Sequence, residues 1–404
     1  MFPKLRFKEF DENWKEVTLK NCITSIDSGW SPQCESYPAN SSEWGVLKTT
    51  SVDWSGFNSS FNKKLPLELT PRKEIEVKPL DILVTRAGPT ERVGVVSVVP
   101  HSVRSKLMIS DKLIRLKSNE ENNPLFLGIS LSSVKCQNQL QSKTSGLAKS
   151  QTNISQKILG EVLLKLPSKE EQTKIASFLS AVDEKISQLT KKHELLSQYK
   201  QGMMQKLFSQ QLRFKADDGS EFGEWEDKKL GEISKTFSGG TPQSSNKSFY
   251  EGTIPFIKSG EISKNTTEQC INDLALEKSS AKLVKKGDLL YALYGATSGQ
   301  VAISQIDGAI NQAVLCIRSE LNTKYLLNFL LLKKEEILTT YLQGGQGNLS
   351  ASILKEIYIP TPCLAEQTKI ANFLSAIDQK IEVVAQQIEQ AKTWKKGLLQ
   401  QMFI

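Results

Sequence analysis

Two stretches of the chain place apolar residues at alternating steps of three and four. In the first, Leu179, Ile186, His193, Lys200 and Leu207 form one column, and Val182, Leu189, Leu196 and Met203 form another. In the second, Leu374, Ile381, Ile388, Lys395 and Met402 stand beside Ile377, Val384, Ala391 and Leu398. This heptad spacing predicts two long helices, each offering an apolar seam to another helix. At roughly 1.5 Å per residue, a stretch such as 171–208 would span about 57 Å. Ser168 followed by Glu171 has the form of a capping box at the first helix start, and Thr361-Pro362 offers a different start signal in the second. Elsewhere the apolar runs are short and broken by Gly, Pro, Ser and Asn. Residues 93–99, 112–116 and 313–317 predict strands, and 124–137 and 325–338 predict helices, so the remainder is α+β.

The two helical stretches are copies of one another. Residues 171–186 return 195 positions later as 366–381, with 13 of 16 residues identical. The register persists through Glu194/Glu389, Lys200/Lys395, Gly202/Gly397 and Gln205/Gln400. Weaker echoes surround them: Leu5-Arg6-Phe7 with Trp14 returns as Leu212-Arg213-Phe214 with Trp225, and Asp81-Ile82-Leu83 as Asp288-Leu289-Leu290. The chain is therefore a duplication. Its expected domains are a variable module at 1–170, a constant helix at 171–211, a second variable module at 212–365 and a second constant helix at 366–404. The helices should pack as an antiparallel coiled coil, which would give the pair pseudo-two-fold symmetry. Leu179, Val182, Ile186 and Leu189 in the first helix, and Leu374, Ile377, Ile381 and Val384 in the second, are the expected spacer and partner-docking positions. Lysines 200 and 395 in seam positions would set register or snorkel to solvent.

Composition narrows the class. Of 404 residues, 52 are Lys or Arg and 44 Asp or Glu, a net charge of +8. The first module has 24 basic and 18 acidic groups, or +6, whereas the second has 17 and 18, or −1; the helices add +2 and +1. No apolar run is long enough for a transmembrane helix, and the start lacks the apolar core of a signal peptide, so a soluble cytoplasmic protein is expected. Six scattered cysteines with no C-x-x-C pair and only two histidines argue for reduced thiols and against a metal site.

The candidate chemistry lies in loops rich in hydrogen-bonding groups. In the first module these hold Lys48, Thr49 and Thr50; Arg86, Thr90 and Arg92; and Lys149, Ser150, Gln151 and Asn153. In the second they hold Thr241 and Gln243; Lys258 and Ser259; Tyr294, Thr297 and Ser298; and Gln346 and Asn348. Arg suits guanine, Asn and Gln suit adenine, and hydroxyls and backbone amides hold phosphates, so the loops are candidate DNA-binding elements. Ordinary solvated turns would look similar residue by residue; recurrence in both halves favours a shared task. No phosphate-binding loop is present, Asn123-Pro124 lacks the downstream residues of an adenine-methylating site and is read as a turn, and Pro79-Leu80-Asp81 lacks those of a nuclease metal site. No catalytic residues are expected.

Near-identical helices, each opening with a proline, three residues and Glu-Gln (Pro167 to Ile186, Pro362 to Ile381), close two variable modules. With the Trp14 and Trp225 segments and the Gly240-Thr241-Pro242 turn, this arrangement strongly resembles the specificity subunit of type I restriction-modification systems (HsdS). The resemblance implies two target-recognition domains, each reading one half of a split double-stranded DNA sequence, with no cofactor in this chain. It implies helices that act as spacer and as the dock for two modification subunits, which carry S-adenosylmethionine, and for restriction subunits. Readers entering successive major grooves sit about 34 Å apart, a distance that rigid helices could fix. The alternative is a coiled-coil scaffold whose modules bind proteins, with no DNA involved.

Overall fold

The computed structural model describes residues 3–144, 152–341 and 349–403. Two compact units divide it: residues 1–188 with 388–404, and residues 189–387. Each long helix, Lys169–Phe208 and Leu364–Met402, contributes one part to each unit.

In the first unit, Lys15–Thr18 pairs antiparallel with Leu163–Leu166, so the strand that follows the lead-in segment meets the strand just before the long helix. A four-stranded antiparallel sheet follows in the order Ile23–Ser28, Leu113–Ser118, Ile82–Thr85, Val96–Val98. Its central strands are apolar on both faces because each face has its own cover. Ile82, Val84, Ile114 and Leu116 belong to the cluster that includes Phe126 and Leu127 of helix Pro124–Leu131, while Leu83 and Leu113 join a second cluster with Leu107, Met108 and Ile109. That second cluster sits beneath a smaller sheet in which Gly45–Leu47 runs parallel to Leu107–Met108 and antiparallel to Asn62–Lys64.

The second unit repeats this plan. Glu226–Lys229 pairs with Tyr358–Thr361; the larger sheet is Ser234–Ser238, Val314–Ser319, Leu289–Ala292, Val301–Ile303; and Ile254–Ile257 runs parallel to Gly308–Ile310 in the smaller one.

The predicted strands at 93–99, 112–116 and 313–317 appear as Val96–Val98, Leu113–Ser118 and Val314–Ser319. The helix expected over 325–338 runs Thr323–Tyr341. The one expected over 124–137 is two helices, Pro124–Leu131 and Val134–Gln141. Ser132 turns its hydroxyl back to the Gly128 carbonyl and Ser133 caps the second helix through the Cys136 amide, so the two serines supply an end and a new beginning. Asn123, read as a turn residue, is the N-cap of the first: its side chain accepts from the Leu125 and Phe126 amides, and Pro124 opens the helix where no donor is needed.

Within each unit the two helix parts run antiparallel. In the first, Ile175, Leu179 and Val182 share a core with Leu398 and Met402, and Asp183 pairs with Lys395. In the second, Met204 and Leu207 share a core with Ile370, Leu374 and Ile377, and Lys200 pairs with Asp378. Leu179, Val182, Leu189, Leu374, Ile377 and Val384 are buried, and Ile186 and Ile381 half-buried, so all eight seam residues face inward. Among the described residues, no helix is long and apolar enough to cross a membrane.

Candidate nucleic-acid interface

The Glu-Gln pair that opens each helix is a lock between helix and module. Glu171 is buried; its carboxylate takes a two-pronged bond from Arg6 at 2.7 Å and one from the Trp14 indole at 3.3 Å. Glu366 is held by the same pair of residue types, Arg213 at 3.1 and 2.8 Å and the Trp225 indole at 2.9 Å. Gln172 accepts from the Asn123 amide and donates to the Pro167 carbonyl; Gln367 accepts from the Asn322 amide and donates to the Pro362 carbonyl. The capping box expected at Ser168 is thus half-formed: Ser168 accepts from the Glu171 amide, but the Glu171 carboxylate turns away to the stronger charged donors. The helix start is thus fastened both to the lead-in segment and to the N-cap of the helix that begins at Pro124 or Thr323.

Those loops bond to one another. In the first module, Lys48 precedes a turn at Thr49–Ser51 and a short hairpin, Val52–Asp53 with Gly56–Phe57, that leaves Trp54 half-exposed. Arg92 reaches across to the Asp53 carboxylate and the carbonyls of Thr49 and Val52, which joins the 86–92 loop to this hairpin. Its hydrogen bond holds the Asp53 carboxyl below the usual range. Thr152–Asn153 pairs with Ala87–Gly88, and the hydroxyls of Thr90 and Thr152 meet at 2.7 Å.

The second module assembles the same loops. Lys258 precedes the turn Ser259–Glu261 just as Lys48 precedes its own, and the Leu349 amide bonds Leu293 as the Ile154 amide bonds Arg86. The hairpin bend that follows uses a glycine in the left-handed region in each case, Gly94 (φ +84°) and Gly299 (φ +79°), each donating to the residue that ends the preceding strand. Tyr294, Thr297 and Ser298 lie on this hairpin; burial raises the Tyr294 phenol, and Ser298 spends its hydroxyl on the Leu293 carbonyl. Thr241 and Lys258 line one open cleft of about 410 Å³ with Ser244, Lys247, Tyr250, Gln269 and Asn311. This surface combines two cations, an aromatic ring and amide groups of both polarities, a mixture suited to phosphates and base edges.

Thr50, Asn153, Thr241 and Gln243 are exposed, while Lys48, Thr49, Arg86, Thr90, Lys258 and Ser259 are half-buried. Arg92 is committed to its internal partners. Lys149, Ser150, Gln151, Gln346 and Asn348 lie outside the described residues. Sequence reasoning passed over one loop: Ser28-Gly29-Trp30-Ser31-Pro32-Gln33 occupies the place of Ser238-Gly239-Gly240-Thr241-Pro242-Gln243. A Cβ at Gly29 or Gly239 would stand 1.7 or 1.8 Å from the carbonyl oxygen of Ile109 or Ile310, so only glycine fits. Ser31 bonds Asp111 as Thr241 bonds Gln312. The shared Ser-Gly and Pro-Gln were the available signal. Lys247, Tyr250, Gln269 and Asn311 had none, because they come from separate strands and turns.

The family model for the type I restriction modification DNA specificity domain matches residues 12–197 and 223–393. The chain belongs to this family. It is a specificity subunit with two target-recognition domains, a component that recognises DNA rather than one that performs catalysis. It is 27% identical over 98% of its length to the putative MjaX specificity subunit of Methanocaldococcus jannaschii, covering 94% of that protein. It is 40% identical over 171 residues to the EcoEI specificity subunit of Escherichia coli, a match that spans 42% of this chain and 29% of that one. The S subunit of a type I restriction-modification system from M. genitalium shares the fold with a TM-score of 0.64 at 17% identity, over 100% of this chain and 99% of that one. A chain solved in work on complex assembly and conformational transition of the type I R-M system gives 0.59 at 18%, over 96% and 97%.

Proposed function

We propose that residues 1–170 and 212–365 each read one half of a bipartite double-stranded DNA target. The two long helices, 171–211 and 366–404, set the unread gap. They also dock two modification subunits, which carry S-adenosylmethionine and methylate adenine, together with restriction subunits. The observation that carries this reading is the duplicated loop set: Lys48 to Thr50 with Lys258 and Ser259, Ser31 to Gln33 with Thr241 to Gln243, and Arg86 to Arg92 with Tyr294 to Ser298. Two unlike surfaces built on one plan suit two unlike half-sequences.

Because the seam residues close on one another, partner contact falls to the outer helix faces, where Leu195, Tyr199, Val383 and Trp394 stand exposed. The second module, at −1, relies on Lys247 and Lys258 and on its partners for phosphate attraction. Exchanging residues 1–170 for those of a relative should change one half of the methylated sequence and leave the other intact, as read by sequencing methylated adenines in the host. Change in both halves would defeat the modular reading.

A further inference from the structure

The first module holds six arginines, and four spend their guanidinium groups on the protein itself. Arg6 holds Glu171, Arg92 holds Asp53, Arg115 holds Asp27, and Arg104 donates to the carbonyls of Glu43 and Ser105. Arg72 is different. It is exposed, its guanidinium carbon lies 4.2 Å from the centroid of the Trp30 ring, and among the described residues no carboxylate or carbonyl takes its side-chain N–H groups.

The platform beneath it is fixed. Gly29 and Trp30 donate their amides to the carbonyls of Ser110 and Ile109, and the indole packs on the cluster that contains Leu107, Met108 and Ile109. The Arg72 amide points to the Met108 sulfur at 3.3 Å. A guanidinium stacked on an aromatic face keeps its in-plane donors directed outward, and much of its rotational freedom is already spent before any ligand arrives. Its neighbour along the chain from Trp30 is Ser31, the counterpart of Thr241 in the cleft of the second module.

Resting on the DNA-reading function above, we propose that Arg72, held on Trp30, is a specificity-determining residue that reads a guanine in the major groove of the first half-target. Two parallel N–H groups match the O6 and N7 acceptors of guanine, and no other base offers that pair. The second module has no such reader: the place of Trp30 belongs to Gly240, where an added Cβ would stand 2.6 Å from the Ser280 side chain, and the module's two arginines, Arg213 and Arg318, pair with Glu366 and Asp288. The stacked arginine reader is therefore confined to the first module.

The test maps methylated adenines in a host carrying the whole complex with Arg72→Lys or Arg72→Ala. Both variants should lose discrimination at a single position of the first half-target, by about 10- to 100-fold, with the second half unchanged. Lysine keeps the charge without the fork, so it separates base reading from phosphate neutralisation. If Arg72→Lys methylated the parental sites while Arg72→Ala weakened all sites evenly, Arg72 would be a phosphate contact and the proposal overturned. Parental sites from both variants would overturn it too. If the parental methylation pattern did not depend on this chain at all, the DNA-reading function itself would fail, and that control is run first.

Discussion

Glu171 and Glu366 show how little a residue discloses about its role when its partners are remote. The repeat made the Glu-Gln pair conspicuous, yet local pattern suggested only a capping residue, because Arg6 and Trp14 lie more than 150 positions away. What the structure adds is a buried carboxylate facing one guanidinium and one indole. Removing the buried carboxylate deprives a guanidinium that is 10% exposed at Arg6 and 24% exposed at Arg213, each still bonded to a backbone carbonyl, so the loss falls below that of a fully buried pair, at about 2–3 kcal/mol. Glu171→Ala should therefore destabilise the protein by that order in urea unfolding, and Glu366→Ala likewise, whereas Glu170→Ala, at the exposed neighbouring position, should change little. The polar loops could be picked out as a class for the same reason that the individual roles of their residues could not. Loop composition identifies hydrogen-bonding potential, but whether Arg92 is spent inside the protein and Arg72 is free depends on Asp53 and Trp30, which no local pattern reveals.

At the scale of elements, the long helices were legible because their period persists over many turns, and the seam columns match the buried face. The lysines in that seam were ambiguous between register control and solvation. Lys200 lies 2.7 Å from Asp378 and Lys395 pairs with Asp183, so the duplication makes each copy's lysine the partner of the other copy's aspartate. The aspartates are half-exposed, so each pair is worth about 1 kcal/mol or less. Lys200→Asp and Asp378→Lys should each destabilise the protein, and the double variant should recover about 0.5–1 kcal/mol of the loss as coupling in a double-mutant cycle. Additive losses would mean that the pair does not set register. The break at Ser132 and Ser133 was missed because both helices that it separates are apolar enough to look continuous. The strands of two to six residues were only partly legible, since their pairing joins distant positions such as Gly45–Leu47 with Leu107–Met108.

At the scale of the whole molecule, the proposed spacer role makes helix length the quantity to vary. Inserting four residues after both Ile186 and Ile381 adds about 6 Å of helix at 1.5 Å per residue. The methylated sequence should then show a longer unread gap and unchanged halves; an unchanged gap would separate helix length from target spacing. The division into units has a second consequence, in the order of manufacture. The unit formed by residues 189–387 is continuous along the chain, but the other also needs residues 388–404, whose Leu398, Met402 and Phe403 pack with Trp14 and Phe126. Although domains generally fold in the order in which the ribosome delivers them, here residues 1–188 must wait, partly uncovered, for a segment delivered after the whole of the other unit. The second module has all of its residues in hand while the first is still missing a piece of its core.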